Sequence, residues 1–125
     1  MAYEYFQNNP SGKMTGDCVV RAVSLATDEN WQKTYIALAL QGFLMNEMMN
    51  ADSVWGAYLR NNGFIRYAIP NTCPDCYTVS DFAAEHPKGV YVLGTGKHAV
   101  TVMNGNYLDA WDSGNEIPLF YYTRD

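Results

Sequence analysis

Two residues far apart in the chain carry the first chemical signal. Cys18 stands in Gly16-Asp17-Cys18-Val19-Val20-Arg21-Ala22, at the start of a predicted helix. His98 opens the alternating run His98-Ala99-Val100-Thr101-Val102, a predicted strand. A thiol at a helix N-terminus sits at the positive end of the dipole, which favours the thiolate. A histidine brought beside it can act as general base and then general acid. That chemistry is nucleophilic attack on a carbonyl, and it calls for no metal and no cofactor.

The imidazole needs a third group to hold it in one orientation. Asn104-Gly105 is a hairpin signal. A two-residue loop there pairs Met103 with Asn106 and therefore His98 with Trp111. Asp112 then lies at the strand end just beyond His98, and Asp109 lies across from Val100 on the face His98 uses. Either carboxylate can orient the ring. Asp112 is preferred, because His98 stands at that end of the sheet and a one-residue bulge sets the two opposite each other. Trp111 is placed to cover the pair.

The elements that must position these groups follow from periodicity. Residues 1–16 are rich in turn formers (Asn8, Asn9, Pro10, Ser11, Gly12, Gly16) and read as an extended lead-in. Asp17 is a suitable N-cap for a helix from Cys18 to Ala26, with Cys18, Ala22, Leu25 and Ala26 on one face. A second helix is predicted from Trp31 to Phe43, with Trp31, Tyr35, Leu38 and Gly42 along one side, followed by the methionines 45, 48 and 49. The third spans Asp52 to Asn61, with Trp55, Tyr58 and Leu59 on its apolar face, Val54 at the edge, and Asn62-Gly63 closing it. Phe64 to Ile69 reads as a strand. Thr78 or Ser80 caps a short helix from Val79 to Glu85. After Gly89 the period becomes two, giving strands at 90–93, 98–103, 107–111 and 119–122. Helices first and strands second specify an α+β fold, N-terminal helices on a C-terminal antiparallel sheet, in one domain over 1–125.

These segments together resemble papain-like cysteine peptidases. They are most similar to the compact bacterial and phage forms of that fold, including the peptidases that remove bacteriocin leaders. The resemblance rests on Gly16-Asp17-Cys18 opening a helix, Gly96-Lys97-His98-Ala99-Val100 opening a strand, and Tyr107-Leu108-Asp109-Ala110-Trp111-Asp112-Ser113 on the next. It implies a papain-like α+β fold, a nucleophile at Cys18, a base at His98 and an Asn or Asp orienter at Asp112. It implies a peptide or amide substrate. The family carries a glutamine six residues before the cysteine as an oxyanion donor; here Gly12 holds that place. The nearest amides are Gln7, Asn8 and Asn9, and Asn9 is the candidate donor.

Plainer roles compete. A lone cysteine on a helix face is commonly core, and a histidine before an apolar strand is commonly an edge residue. Asp17 also opposes the chemistry, since a carboxylate beside a thiol raises its pKa. Cys73-Pro74-Asp75-Cys76 reads as a structural turn or disulfide, half of a zinc site with His86 as the nearest further ligand, or a redox pair. The alternatives to a cysteine hydrolase are therefore a non-catalytic module on the same fold and a redox or zinc protein. His86, before Pro87 at a helix end, reads as structural.

Composition narrows the partners. The net charge of −5 offers no basic stripe for phosphates, which argues against nucleic acid. No apolar run approaches the roughly 20 residues that cross a bilayer. The first ten residues lack a basic-then-apolar leader, so a cytoplasmic location is expected. Three cysteines, an odd number, favour thiol chemistry or metal binding over a disulfide framework.

Overall fold

A computed structural model describes residues 3–124. The elements run β1 (Tyr3–Tyr5), α1 (Cys18–Ala26), α2 (Trp31–Met45), α3 (Asp52–Asn61), β2 (Ile65–Ala68), α4 (Val79–Glu85), β3 (Val90–Gly94), β4 (Ala99–Met103), β5 (Asn106–Asp109) and β6 (Phe120–Thr123). The fold is mixed α+β, as the change of period specifies. The sheet is not purely antiparallel. Its order is β1-β5-β4-β3-β6-β2, and β1 runs parallel to β5 with Tyr3 opposite Tyr107. Tyr3–Tyr5 lies in the stretch expected to be an extended lead-in. Three residues give too short a run for alternation to register.

The centre of the sheet is built by register. Asn104 and Gly105 adopt positive φ (51° and 87°), the geometry of a tight two-residue hairpin turn. Met103 pairs with Asn106 and Thr101 with Leu108, the expected register. The β4–β5 ladder stops at that pair, so the strands are free to part at the end where His98 stands. On the next strand, a Cβ at Gly94 would collide with the Phe120 ring. Glycine there lets Phe120 of β6 lie flat against β3.

Helix α1 is buried almost all round: Val19, Val20, Arg21, Ala22, Val23, Ser24 and Ala26 are all buried. The expected face of Cys18, Ala22, Leu25 and Ala26 is therefore too narrow. A helix enclosed on every side has no single apolar stripe. It is covered by β4 on one side and by α2 and α3 on the other. Thr101 Oγ1 donates to the Ala22 carbonyl at 2.7 Å, tying α1 to β4. Trp55 and Leu59 of α3 complete this core with Phe120 and Tyr122. A second core forms on α4, where Val79, Phe82 and Ala83 meet Leu93, Val100, Val102 and Tyr107. Helix α4 starts at Thr78, whose side chain and that of Asp81 cap each other's backbone N–H groups. No helix among the described residues is long and apolar enough to cross a membrane.

Helix α2 departs most from its predicted face. Thr34, Leu38 and Gly42 are buried, but Tyr35 is exposed, as are Ile36, Leu40, Phe43 and Leu44. Its periodicity is blurred because apolar residues occupy both sides.

Candidate functional site

Cys18 is the first residue of α1, and His98 stands at the exit of the β3–β4 turn. That turn is closed by Thr95, whose N–H donates to the His98 carbonyl at 2.9 Å while its hydroxyl accepts from the His98 N–H at 3.1 Å. The backbone on either side of the imidazole is thus pinned. The structure brings Cys18 and His98 together: both line one cavity, and each shifts the pKa of the other.

The orienting carboxylate is Asp109, not Asp112. His98 Nε2 donates to Asp109 Oδ2 at 2.6 Å, which leaves Nδ1 to meet the thiol. Asp112 instead accepts from the Tyr107 hydroxyl at 2.7 Å and from the Gly114 N–H at 3.0 Å. No bulge sets Asp112 opposite His98. The chain after β5 turns so that Trp111 reaches the histidine, with ring centroids 4.8 Å apart, and Asp112 passes beyond it. Trp111 thus takes the covering position expected of it, although its outer face stays in solvent.

Asp109 is fully buried, and every lone-pair direction of its carboxylate is used. Oδ1 accepts from Arg21 Nη2 and from the Ala110 N–H, each at 2.8 Å. Oδ2 accepts from His98 and from Ser113 Oγ, each at 2.6 Å. A buried carboxylate is tolerated only when paired and hydrogen-bonded in this way.

Arg21 is the member of this network that the sequence reading missed. It is buried, and its second arm, Nη1, donates to Asp17 Oδ1 at 2.7 Å. Asp17 Oδ2 accepts from the Trp31 indole N–H at 2.9 Å. Asp17 therefore does not cap α1 with its side chain, contrary to expectation. Its carboxylate is held by two donors elsewhere. The first N–H groups of a helix have no intrahelical partner, so the positive end of α1 stays open towards the thiol. The i,i+4 spacing of Asp17 and Arg21 across the start of α1 was the available signal.

The electrostatics follow from these contacts. Burial alone raises the Cys18 pKa, but the His98 hydrogen bond, the Ala99 backbone N–H and the charges of His98 and Arg21 outweigh it and hold the thiol below its ordinary value. Burial alone lowers the His98 pKa. The bonds to Asp109 and Cys18 and their charges reverse that and push it up to about 9. Burial also opposes ionisation of Asp109, yet its bonds to His98 and Ser113, with the His98 and Arg21 charges, keep its pKa low. The three groups therefore shift together: the thiol and the carboxyl towards their ionised forms and the imidazole towards its protonated form.

Cys18 and His98 line a cavity of about 190 Å³ with Gly16, Asn50, Asp52 and Lys97. It adjoins a groove of about 530 Å³ that shares Gly16, Val19 and Asn50 and is walled by Trp31, Tyr35 and Met49. Asn9, the expected oxyanion donor, lines the groove and not the Cys18 cavity. Its side chain is used in a local turn, donating to the Lys13 carbonyl at 3.3 Å and accepting from Ser11 at 3.0 Å. Short amide side chains in turns bond their own backbone first, and that preference withdraws Asn9 from the thiol.

Cys73 and Cys76 are joined by a disulfide in an exposed loop that lines neither cavity. His86 does not join them; it stacks on Phe82 at 3.7 Å and its Nδ1 donates to the Phe82 carbonyl at 2.7 Å.

Comparison with family models, with curated proteins and with solved structures finds no match to this chain.

Proposed function

We propose that this protein is a thiol-dependent acyl-transfer hydrolase of papain-like fold, acting on a peptide or related amide. One observation carries the reading: Cys18 and His98 line one cavity with Asp109 bonded behind the ring, the thiol pKa lowered and the imidazole pKa raised. A structural cysteine has no need of that pairing. Reactive thiols are found in such electropositive, partly open settings.

The reaction balances on these groups. The Cys18 thiolate attacks the carbonyl carbon, and the π pair moves to oxygen. The tetrahedral species collapses as the imidazolium of His98 gives its proton to the leaving nitrogen, which releases the amine and leaves a thioester. Neutral His98 then takes a proton from water, and the hydroxide adds to the thioester carbonyl. Expulsion of the thiolate yields the carboxylic acid and restores the starting pair. Asp109 fixes the ring so that Nδ1 faces the sulfur and stabilises the positive charge. The groove of about 530 Å³ that adjoins the Cys18 cavity supports a substrate that extends past the reacting carbonyl.

A panel of fluorogenic peptide amides tests this. Hydrolysis should be lost in Cys18→Ala and in His98→Ala. Turnover that persists in Cys18→Ala would overturn the reading.

A non-catalytic binding module is the second reading. It draws on the exposed apolar residues Ile36, Leu40, Phe43 and Leu44 of α2. It requires that Cys18 alkylate no faster than a free thiol.

A further inference from the structure

We propose that the side-chain amide of Asn50 supplies the second hydrogen bond to the oxyanion formed when Cys18 attacks; the assignment rests on the acyl-transfer reading. The developing negative oxygen needs donors fixed before the reaction. The backbone N–H of Cys18 at the open helix terminus is one. The amides upstream of the cysteine cannot be the other. Gln7 Nε2 points to Met14 Sδ at 3.9 Å, Asn8 Nδ2 donates to Ser24 Oγ at 2.8 Å, and Asn9 is used within its turn.

The groups lining the Cys18 cavity narrow the choice. His98 Nε2 is committed to Asp109, and the other ring nitrogen is the one the reaction needs for proton transfer. The Trp55 indole N–H donates to Asp52 Oδ1 at 3.1 Å, and Asp52 is itself an acceptor. Asn50 and Lys97 remain. Lys97 is exposed and carries its charge on a flexible four-carbon stem, so its ammonium is not fixed before the reaction. Asn50 sits at the seam of the two cavities with Gly16 and Val19, the residues that flank Asp17-Cys18 at the start of α1. Its amide makes no hydrogen bond among the described residues and is free for a substrate oxygen.

The loop that carries Asn50 is held in place. Ala51 N–H donates to the Met48 carbonyl at 3.0 Å, and Met49 packs on the core. The loop lies so close to α2 that a Cβ at Gly42 would stand 2.7 Å from the Glu47 carbonyl oxygen. An anchored donor costs less reorganisation than a mobile one.

A peptide aldehyde, acetyl-Leu-Leu-norleucinal, tests the assignment, because its hemithioacetal oxygen occupies the oxyanion position. Protection of Cys18 against iodoacetamide is measured in the parent, Asn50→Ala, Asn50→Gln and Lys97→Ala. Asn50→Ala should weaken aldehyde protection and lower kcat on a fluorogenic peptide by about 10²- to 10³-fold with little change in KM. Its alkylation rate without aldehyde should stay within about two-fold of the parent, since the thiolate pair is intact. Asn50→Gln should restore part of the loss. Aldehyde protection unchanged in Asn50→Ala, a loss seen only in Lys97→Ala, or slowed alkylation in Asn50→Ala would each overturn the role. Failure of the aldehyde to protect the parent would instead remove the acyl-transfer reading and the assignment with it.

Discussion

Arg21 grips Asp109 by one carboxylate oxygen at 2.8 Å while His98 takes the other at 2.6 Å. The guanidinium also holds Asp17, so one buried cation joins the first turn of α1 to the end of β5. The thiol and the carboxylate that serves it are positioned by the same side chain.

Arg21→Ala should leave two buried carboxylates without their cation. Breaking a buried pair in this way costs about 3–5 kcal/mol, and here two pairs share one partner. Urea unfolding should show a large fall in midpoint. Arg21→Lys should recover less than half of it, because an ammonium cannot reach both carboxylates with a forked geometry. A midpoint close to the parent in Arg21→Ala would refute the anchoring role.

Asp109→Asn and Asp112→Asn separate the two carboxylates. Replacing Asp109 removes the charge that supports the imidazolium, so the His98 pKa should fall and Cys18 alkylation at pH 6 should slow by about ten-fold or more, one pKa unit being a factor of ten. Replacing Asp112 touches the Tyr107 hydroxyl, not His98, and should cost about 1 kcal/mol of stability with alkylation unchanged. Ring-proton titration by NMR and alkylation rates decide between them. The reverse ranking would restore Asp112 as the orienter.

The pH dependence of stability has a definite sign. Unfolded, Cys18 and His98 bind two protons below the ordinary imidazole value of 6.5 and one between that and the ordinary thiol value of 9.0. Folded, His98 holds its proton until about pH 9, and Cys18 releases its proton below the ordinary thiol value. His98 alone therefore contributes stability that is lost as pH rises from 6.5 through about 9, and Cys18 alone contributes stability that grows as pH rises from its lowered value to 9.0. The two oppose each other, and the pair should give a flatter profile than His98 alone. Cys18→Ala removes one side of the balance. Its stability should decline with rising pH above 6.5, by at most about 1.4 kcal/mol per pH unit, over a range shortened by loss of the thiolate's support to His98. Urea midpoints at pH 6.5, 7.5 and 8.5 measure this, and parallel profiles for parent and variant would contradict the ion pair.

Replacing Cys73 and Cys76 together by serine should leave the Cys18 alkylation rate and its pH profile unchanged, because their loop lines neither cavity. Iodoacetamide followed by peptide mapping reads each site separately. A marked drop in Cys18 reactivity would mean that the loop supports the site.

Much of this arrangement was legible in the chain itself. The change of hydrophobic period after Gly89 specifies helices and then strands, because side-chain direction repeats differently in the two. Asn104-Gly105 set the hairpin and with it the Met103–Asn106 register, since few residues accept two positive φ angles in succession. Cys18 and His98 were marked by residue type and by their places at element starts. Tertiary structure decided the rest. The choice of Asp109 over Asp112 depended on where the ladder parts and on the cation that reaches it from α1, and neither is encoded in local spacing. Asp17 reads as a cap in any local analysis; it became a buried counter-ion because Arg21 and Trp31 outcompete the helix N–H groups for its oxygens. Strand β1 exists only because the edge of β5 offers it partners. Local propensity chooses elements, whereas buried charges settle on whichever donors the packed chain brings within reach.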